Sequence, residues 1–486
     1  MLEESLIICL IIINLKRRYA SQDKMKIKSC LFFFVPFILM GCVNGESSKK
    51  PLNEEVVVTD TVEKITYDTT CVRQDSAVPL QKDSTRRVVS KITRPAPIQR
   101  GSLLIPQVKV KGIYVTGPTA GTKRMKEMVE LVTSTEMNTI VLDIKNDGGD
   151  LTYKIQDTMA QKVGACKRYV RDMPALLKEL HDQGIYVIGR IVCFKDPYLA
   201  KYDKDLALCK PDGTSVTDGK GLPWVNPYKE KVWDYICSIA EQATKDGFDE
   251  IQFDYVRFPI GTDANKADYG VDLATYSKEQ CLSDFFAYVQ KRLHAKGIVY
   301  GADLFGTVIG SDIDRGRTGQ NYAELATMTD ALCPMIYPSH YGKKTFGIPV
   351  PDANPYQTIY KACLLSKEQL KMADSTAIAV VRPWLQCFSA PWVEGHISYG
   401  SKQIKDQIQA VYDAGYDEWI LWNASNHYSQ VKAALSNEPV KSVVPVKKDT
   451  AKKVDTLVQK IKTEKDTIVT KEKDTVNKEK RDTLVP

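Results

Sequence analysis

Between about residues 107 and 438 the chain alternates two rhythms: short apolar runs bounded by turn residues, and longer segments whose apolar positions recur at helical spacing. The runs predict eight strands, at Lys111 to Gly117, Asn138 to Asn146, Ile185 to Lys195, Glu250 to Pro259, Val299 to Gly306, Ala331 to Tyr337, Ala377 to Gln386 and Glu418 to Asn423. Between them the spacing predicts helices such as Arg124 to Thr133, Met173 to Asp182, Lys229 to Lys245 and Gln403 to Ala414. Four helix-to-strand joints share one form: His181-Asp182-Gln183-Gly184, Thr244-Lys245-Asp246-Gly247, His294-Ala295-Lys296-Gly297 and Tyr412-Asp413-Ala414-Gly415. Glycine there ends a helix in the left-handed conformation and turns quickly into the next strand. Loops leaving strand C-termini are long instead, as at Asp196 to Asn226, Gly261 to Thr275 and Ser339 to Asn354. Short turns on one face and elaborate loops on the other describe an α/β fold of the (β/α)8, TIM-type barrel class, with its chemistry at the strand C-termini. The competing arrangement, an open doubly wound sheet, would want a phosphate-cradling glycine run after the first strand, and none follows Gly117.

The flanks read differently. Residues 43–106 are polar, with the Pro-rich Arg94-Pro95-Ala96-Pro97, and suit a disordered linker. Residues 439–486 repeat Asp-Thr among lysines, a low-complexity pattern expected to be disordered. Residues 1–42 read as a leader whose true start is Met25: two lysines precede an apolar run from Cys30 to Met40, too short for a comfortable membrane span. Its ending, Leu39-Met40-Gly41-Cys42, resembles a bacterial lipobox, which implies cleavage before Cys42, acylation there, and a cell-envelope protein anchored to a membrane. The net charge of +7 owes part of its excess to the Lys-rich tail. No basic helix interleaved with aromatics is present, so nucleic acid is not an expected partner. The cysteines after Cys42 are widely spaced and never form a CxxC pair, so they read as buried small hydrophobes with at most one disulfide. A monomer is expected.

One stretch carries the chemistry, Phe248 to Pro259, which follows the helix-stopping Gly247. Alternation sends Ile251, Phe253 and Tyr255 one way and Gln252, Asp254 and Val256 the other, aiming Asp254 into a barrel at the end of its fourth strand. The second strand likewise turns Asp143 and Lys145 inward, and the fifth offers Asp303. The third supplies Arg190 and Lys195, the sixth Tyr337 and then His340, the seventh Arg382, Trp384 and Gln386, the eighth Trp422, Asn423 and His427. Aromatic platforms among acids and amides suit a carbohydrate, which stacks its C–H face and hydrogen-bonds its hydroxyls. Taken singly, each pair has a plainer reading: Asp143 with Lys145, or Asp254 with Arg257, as ion pairs plugging a barrel mouth, and Trp419 as core. The functional reading rests on several strand ends being polar at once, because barrel interiors favour branched apolar side chains.

Asp254-Tyr255-Val256-Arg257-Phe258-Pro259, the Lys111-Gly112-Ile113-Tyr114 opening, Asp303-Leu304-Phe305-Gly306, Pro334 to Tyr341, Arg382-Pro383-Trp384-Leu385-Gln386 and Leu421-Trp422-Asn423, in that set, resemble the bacterial glycosyl hydrolase domain family catalogued as domain of unknown function 4015. The resemblance covers roughly Lys109 to Leu435 and implies a glycosidase-type barrel with an acid at the end of its fourth strand; it delivers no substrate. Glycoside cleavage needs two carboxyls, one ionised and one protonated. Asp254 is the expected ionised member, favoured by Arg257 if that side chain turns back, and Asp303 the expected acid. Asp143 is the reserve, and Glu394, on the loop after the seventh strand, stays open as an alternative acid. Tyr255, Arg257 and the other strand-end residues named above are expected to bind a poly- or oligosaccharide. The five histidines contain no HxH or HExxH, so neither a metal nor another cofactor is expected. The rival to an enzyme is a non-catalytic glycan-binding lipoprotein that keeps the groove but lacks a competent acid pair.

Overall fold

The computed structural model describes residues 96–373 and 377–435. Two compact units divide the chain, residues 1–83 and 84–486, and every described residue belongs to the second. The leader with Cys42, most of the expected linker and the C-terminal tail lie outside the described residues.

The described chain opens with an antiparallel hairpin, β1 (Ile98–Arg100) and β2 (Leu103–Ile105), turned at Gly101 with φ 57°. This corrects the reading of 43–106 as linker throughout. The hairpin is held because Leu103 and Ile105 are buried against Ala377, and because the Leu104 N–H donates to Asp330 Oδ1 at 2.7 Å. Asp330 is itself buried, and its other oxygen accepts the Tyr300 N–H and faces His294 Nε2. Three apolar residues after a polar tract were too short a signal to separate from the linker.

Eight parallel staves follow and close on themselves. They are β3 (Lys111–Val115), β4 (Thr139–Lys145), β5 (Tyr186–Val192), β6 (Glu250–Asp254), β7 (Tyr300–Phe305), β8 (Ala331–Met335), the pair β9 (Val380–Val381) and β10 (Trp384–Gln386), and β11 (Trp419–Trp422). β11 pairs with β3, and β10 pairs with both β8 and β11, so the sheet has no open edge. The seventh stave, expected as one strand, is interrupted by Arg382-Pro383. Proline has no N–H to give the ladder.

Helices alternate with the staves, including Arg124–Thr133, Met173–Asp182, Glu230–Asp246, Lys278–His294, Pro355–Lys371 and Ser401–Asp413. Gly184, Gly247, Gly297 and Gly415 all have positive φ at the joints back into strands, as the repeated pattern predicts. The strand period sorts two cores. Ile140, Leu142, Ile251 and Phe253 face the helices, and Phe253 packs edge-on against Phe285 of the Lys278–His294 helix. Val141, Ile188, Cys333, Trp384 and Ile420 fill the barrel interior. Each such side chain contributes roughly 1.5–3 kcal/mol by leaving water. Trp419 is buried in the outer core with its indole N–H on Tyr412, the plainer reading given to it. All eight cysteines among the described residues are free thiols, six of them buried.

Candidate active site

The barrel interior is polar in layers. At the lower end Arg382 donates to Glu250 and, at 2.6 Å, to Glu418; all three are buried. Arg382 therefore bridges the starts of two strands and does not reach the C-terminal face where it was expected to meet substrate. The period of two gives its face but not its depth: it sits one layer below Trp384, two residues on.

Above that layer, Asp303 on β7 accepts from the Gln252 amide and, at 2.6 Å, from the Trp384 indole N–H, both on Oδ1. The β6–β7 register pairs Phe253 with Ala302, so Asp254 and Asp303 stand side by side, one residue further along. Burial first, and then the negative charge of Asp254, push Asp303 well above the usual carboxylate range, against its two N–H donors. A carboxyl so placed favours its protonated form.

Asp254 ends β6. Its Oδ2 accepts both Nε and Nη2 of Arg190, at 2.8 and 2.5 Å, and its Oδ1 accepts the Tyr255 backbone N–H at 2.6 Å. The partner expected from the sequence was Arg257; it is Arg190, on the neighbouring strand. Arg257 instead lies over the rings of Trp224, Tyr255 and Phe305, with Nη1 donating to the Phe258 carbonyl. Tyr255 leaves the strand with φ 49°, a left-handed conformation that costs of order 1–3 kcal/mol in a non-glycine residue. That turn overrides the alternation, which had sent Tyr255 outward, and brings its hydroxyl to Asp147 at 3.1 Å.

Arg190 is the hub. Besides Asp254 it reaches Asp143 Oδ1 at 2.7 Å and Asp147 Oδ1 at 2.6 Å, and its guanidinium lies over the rings of Tyr114 and Trp422, which stack with centroids 4.1 Å apart. Asp143 also accepts the Tyr114 hydroxyl at 2.6 Å; burial pushes its carboxyl up to about 6, against the pull of Arg190 and Tyr114. Burial would likewise raise Asp147, but Arg190 outweighs it and leaves that carboxyl below its usual range. Asp147 was not singled out from the sequence. It follows the second strand in Asn146-Asp147-Gly148-Gly149, and its position after a strand C-terminus was the available signal.

A cavity of about 440 Å³ opens at this end of the barrel. Its wall includes Asp254, Asp303, Arg190, Tyr255, Arg257, Tyr337, His340, Trp384 and Trp422 from the expected set, and adds Asp147, Phe305 and Asp314. Other expected residues lie elsewhere. Asp143 stands behind Arg190, outside the wall. Lys145 is fully buried and ion-paired to Asp196 at 2.7 Å, with Nζ also donating to the Val192 carbonyl. A register irregularity between Asp143 and Lys145 breaks the alternation that had pointed it inward. Gln386 is buried in loop anchoring, donating to Asp352 and the Phe388 carbonyl and accepting the Ser339 N–H. Asn423 donates to the Cys387 and His427 carbonyls. His427 is exposed in a separate outer groove with Arg124 and Lys432. Glu394 is exposed and ion-paired to Lys343, away from the cavity wall. Lys195 pairs with Asp218 at 2.8 Å.

Residues 112–428 match a family model described as "Putative glycosyl hydrolase domain". Among solved structures, a hypothetical protein from Ruminiclostridium thermocellum ATCC 27405 is 37% identical, the alignment covering 40% of this chain and 97% of that one with a TM-score of 0.37. The PgaB (BpsB) glycoside hydrolase domain from Bordetella bronchiseptica is 13% identical, with 68% of this chain and 99% of that one covered and a TM-score of 0.50, a likeness of fold. No curated protein sequence matches the chain. The family match spans well over half of the chain, most of the barrel included, and on it this protein belongs to the glycosyl hydrolase domain family, domain of unknown function 4015.

Proposed function

We propose that the barrel hydrolyses a poly- or oligosaccharide with Asp254 and Asp303 as its carboxyl pair. The observation that carries this reading is the contrast between two neighbouring acids on one cavity wall. Asp254 is gripped by Arg190 in a two-pronged ion pair, while Asp303 meets only neutral N–H donors and is pushed toward the protonated form by burial and by the charge of Asp254. Two neighbouring carboxyls in unlike surroundings, one paired to a cation and one to neutral donors, are what nucleophile and acid require.

In this reading Asp303 Oδ1 is occupied by Trp384 and Gln252, and Oδ2 carries the proton given to the leaving oxygen. Asp254 attacks the anomeric carbon, and Asp303, now a carboxylate, takes a proton from the water that releases the sugar. Neighbouring parallel strands lie about 5 Å apart. Retaining enzymes hold their carboxyls roughly 5–5.5 Å apart, and neighbouring strands can bring two such groups that close. Trp422, backed by Tyr114, and Tyr337 provide faces on which a pyranose ring can stack. The same pairing weighs against a purely glycan-binding barrel.

The test is reducing-end release from a panel of cell-wall and capsular polysaccharides by the purified chain and by Asp254→Asn. The expected outcome is release by the wild type and a loss of turnover by several powers of ten in the variant, with binding largely kept. Retention of anomeric configuration in the first-formed product is expected by NMR. Binding without release by the wild type would favour the non-catalytic reading.

A further inference from the structure

Four other cations at the barrel's polar interior and active face are matched by carboxylates. Arg190 meets three, Arg382 meets Glu250 and Glu418, Lys145 meets Asp196, and Lys195 meets Asp218. Arg257 breaks the pattern. Its side chain is 8% exposed, and its one hydrogen bond to protein among the described residues runs from Nη1 to the Phe258 carbonyl at 3.0 Å. Asp314, Asp147 and Asp254 share the cavity wall with it but form no ion pair with it. The guanidinium is boxed instead by aromatic faces, 4.4 Å from the Phe305 centroid, 5.0 Å from Tyr255 and 5.1 Å from Trp224.

Arginine stays charged in proteins, and the ring faces offset only part of what it loses on leaving water. Burial pulls its affinity for the proton below the usual arginine value, with Tyr255, Asp254 and Asp147 compensating from a distance. An unmatched cation is retained in such a place when something else supplies the negative charge. The planar fork, whose Nε and Nη2 make no hydrogen bond to protein among the described residues, fits the two oxygens of an oxyanion.

We infer that Arg257 forms a subsite for an oxyanion carried by the sugar, a carboxylate as in a uronic acid or a sulfate or phosphate ester, so that the substrate is an acidic glycan. The inference rests on the proposed function only in taking the cavity as the sugar site. Phe305 and Trp224 flank the guanidinium, and Asp254 and Asp303 lie on the same wall, so the charged group would belong to the sugar at the cleavage point or its immediate neighbour.

The experiment uses the full chain and small probes that do not depend on linkage: glucuronate, inorganic sulfate and glucose, titrated by isothermal calorimetry and by tryptophan fluorescence. Glucuronate or sulfate should bind at least tenfold more tightly than glucose and weaken as salt rises. Arg257→Gln should abolish that preference, while Arg257→Lys, which keeps the charge but not the fork, should retain part of it; melting curves establish that both variants are folded. Stronger binding of glucuronate assigns a carboxylate, and stronger binding of sulfate assigns an ester. Equal binding of all three probes, or an oxyanion preference unchanged in Arg257→Gln, overturns the inference. Hydrolysis of a neutral polysaccharide at undiminished rate by Arg257→Gln would likewise overturn it while leaving the glycosidase reading intact. Conversely, oxyanion binding without any hydrolysis would keep the subsite and remove the enzyme.

Discussion

Arg190 grips Asp254 from one side, Nε and Nη2 both donating to Oδ2, while its remaining edge holds Asp143 and its Nη2 also reaches Asp147. One guanidinium thus pairs with three carboxyl groups, two of them buried. Arg190→Met should leave those charges facing one another and destabilise the fold by about 3–5 kcal/mol, the usual cost of breaking a buried pair. Arg190→Lys should recover little, since a point charge cannot reach all three. Urea unfolding at pH 7 and at pH 5 checks this: the loss should shrink at the lower pH as carboxyls protonate. An equal loss at both would mean that the role of Arg190 is packing.

The strands were legible because a closed parallel barrel imposes one rule on every stave, apolar outward under a helix, and because four joints end on glycine. Residues at the ends of regular strands were placed by the same rule, which is how Asp254, Asp303, Arg190, Trp384 and Trp422 come to share one cavity. The rule fails where the backbone departs from it. Lys145 follows an irregular register and Tyr255 sits at φ 49°, and alternation shows neither. Nor does alternation measure depth along the barrel axis, so Arg382 and Gln386 looked equivalent to Trp384 while one lies a layer below it and the other among the loops. Which arginine meets Asp254 is a question of neighbouring strands, and Arg257, three residues away in sequence, was the nearer guess.

Asp143 offers a measurable pH signature. Its carboxyl is raised from 3.8 to about 6, so the fold favours its protonated form. The contribution to stability is full below about pH 4 and is lost as pH rises through about 6. Asp143→Asn keeps the uncharged shape at every pH. The stability of the variant relative to wild type should therefore shift in its favour across pH 4 to 6, by at most about 3 kcal/mol. Paired urea titrations at pH 4 and 7 measure the shift; a difference independent of pH would mean that Asp143 stays ionised throughout.

Localisation rests on the sequence around Cys42, which is outside the described residues. We propose that the thiol is acylated and anchors the mature chain to a membrane of the cell envelope. Cys42→Ser should move the protein to the soluble fraction. If the variant still sediments with membranes after a high-salt wash, the anchor is wrong.

Asp303 provides the sharpest separation of roles. If it is the general acid, the active form is protonated, and because burial and Asp254 hold it well above the ordinary carboxylate range, activity should fall only as pH rises through that raised value. Asp303→Asn should abolish this alkaline limb. It should also cost the natural polymer far more than an aryl glycoside with a good leaving group, since protonation matters least where the leaving oxygen needs no help. The plainer role, a carboxyl fixing Trp384 and Gln252 in the barrel interior, makes another forecast. An amide can still accept both N–H groups through its oxygen, so a positioning residue would leave the substrate ratio and the shape of the profile unchanged. Measuring kcat for both substrates across pH 5 to 10, with a melting curve on the same sample, decides between them: equal losses on the two substrates at every pH would remove Asp303 from the proton transfer.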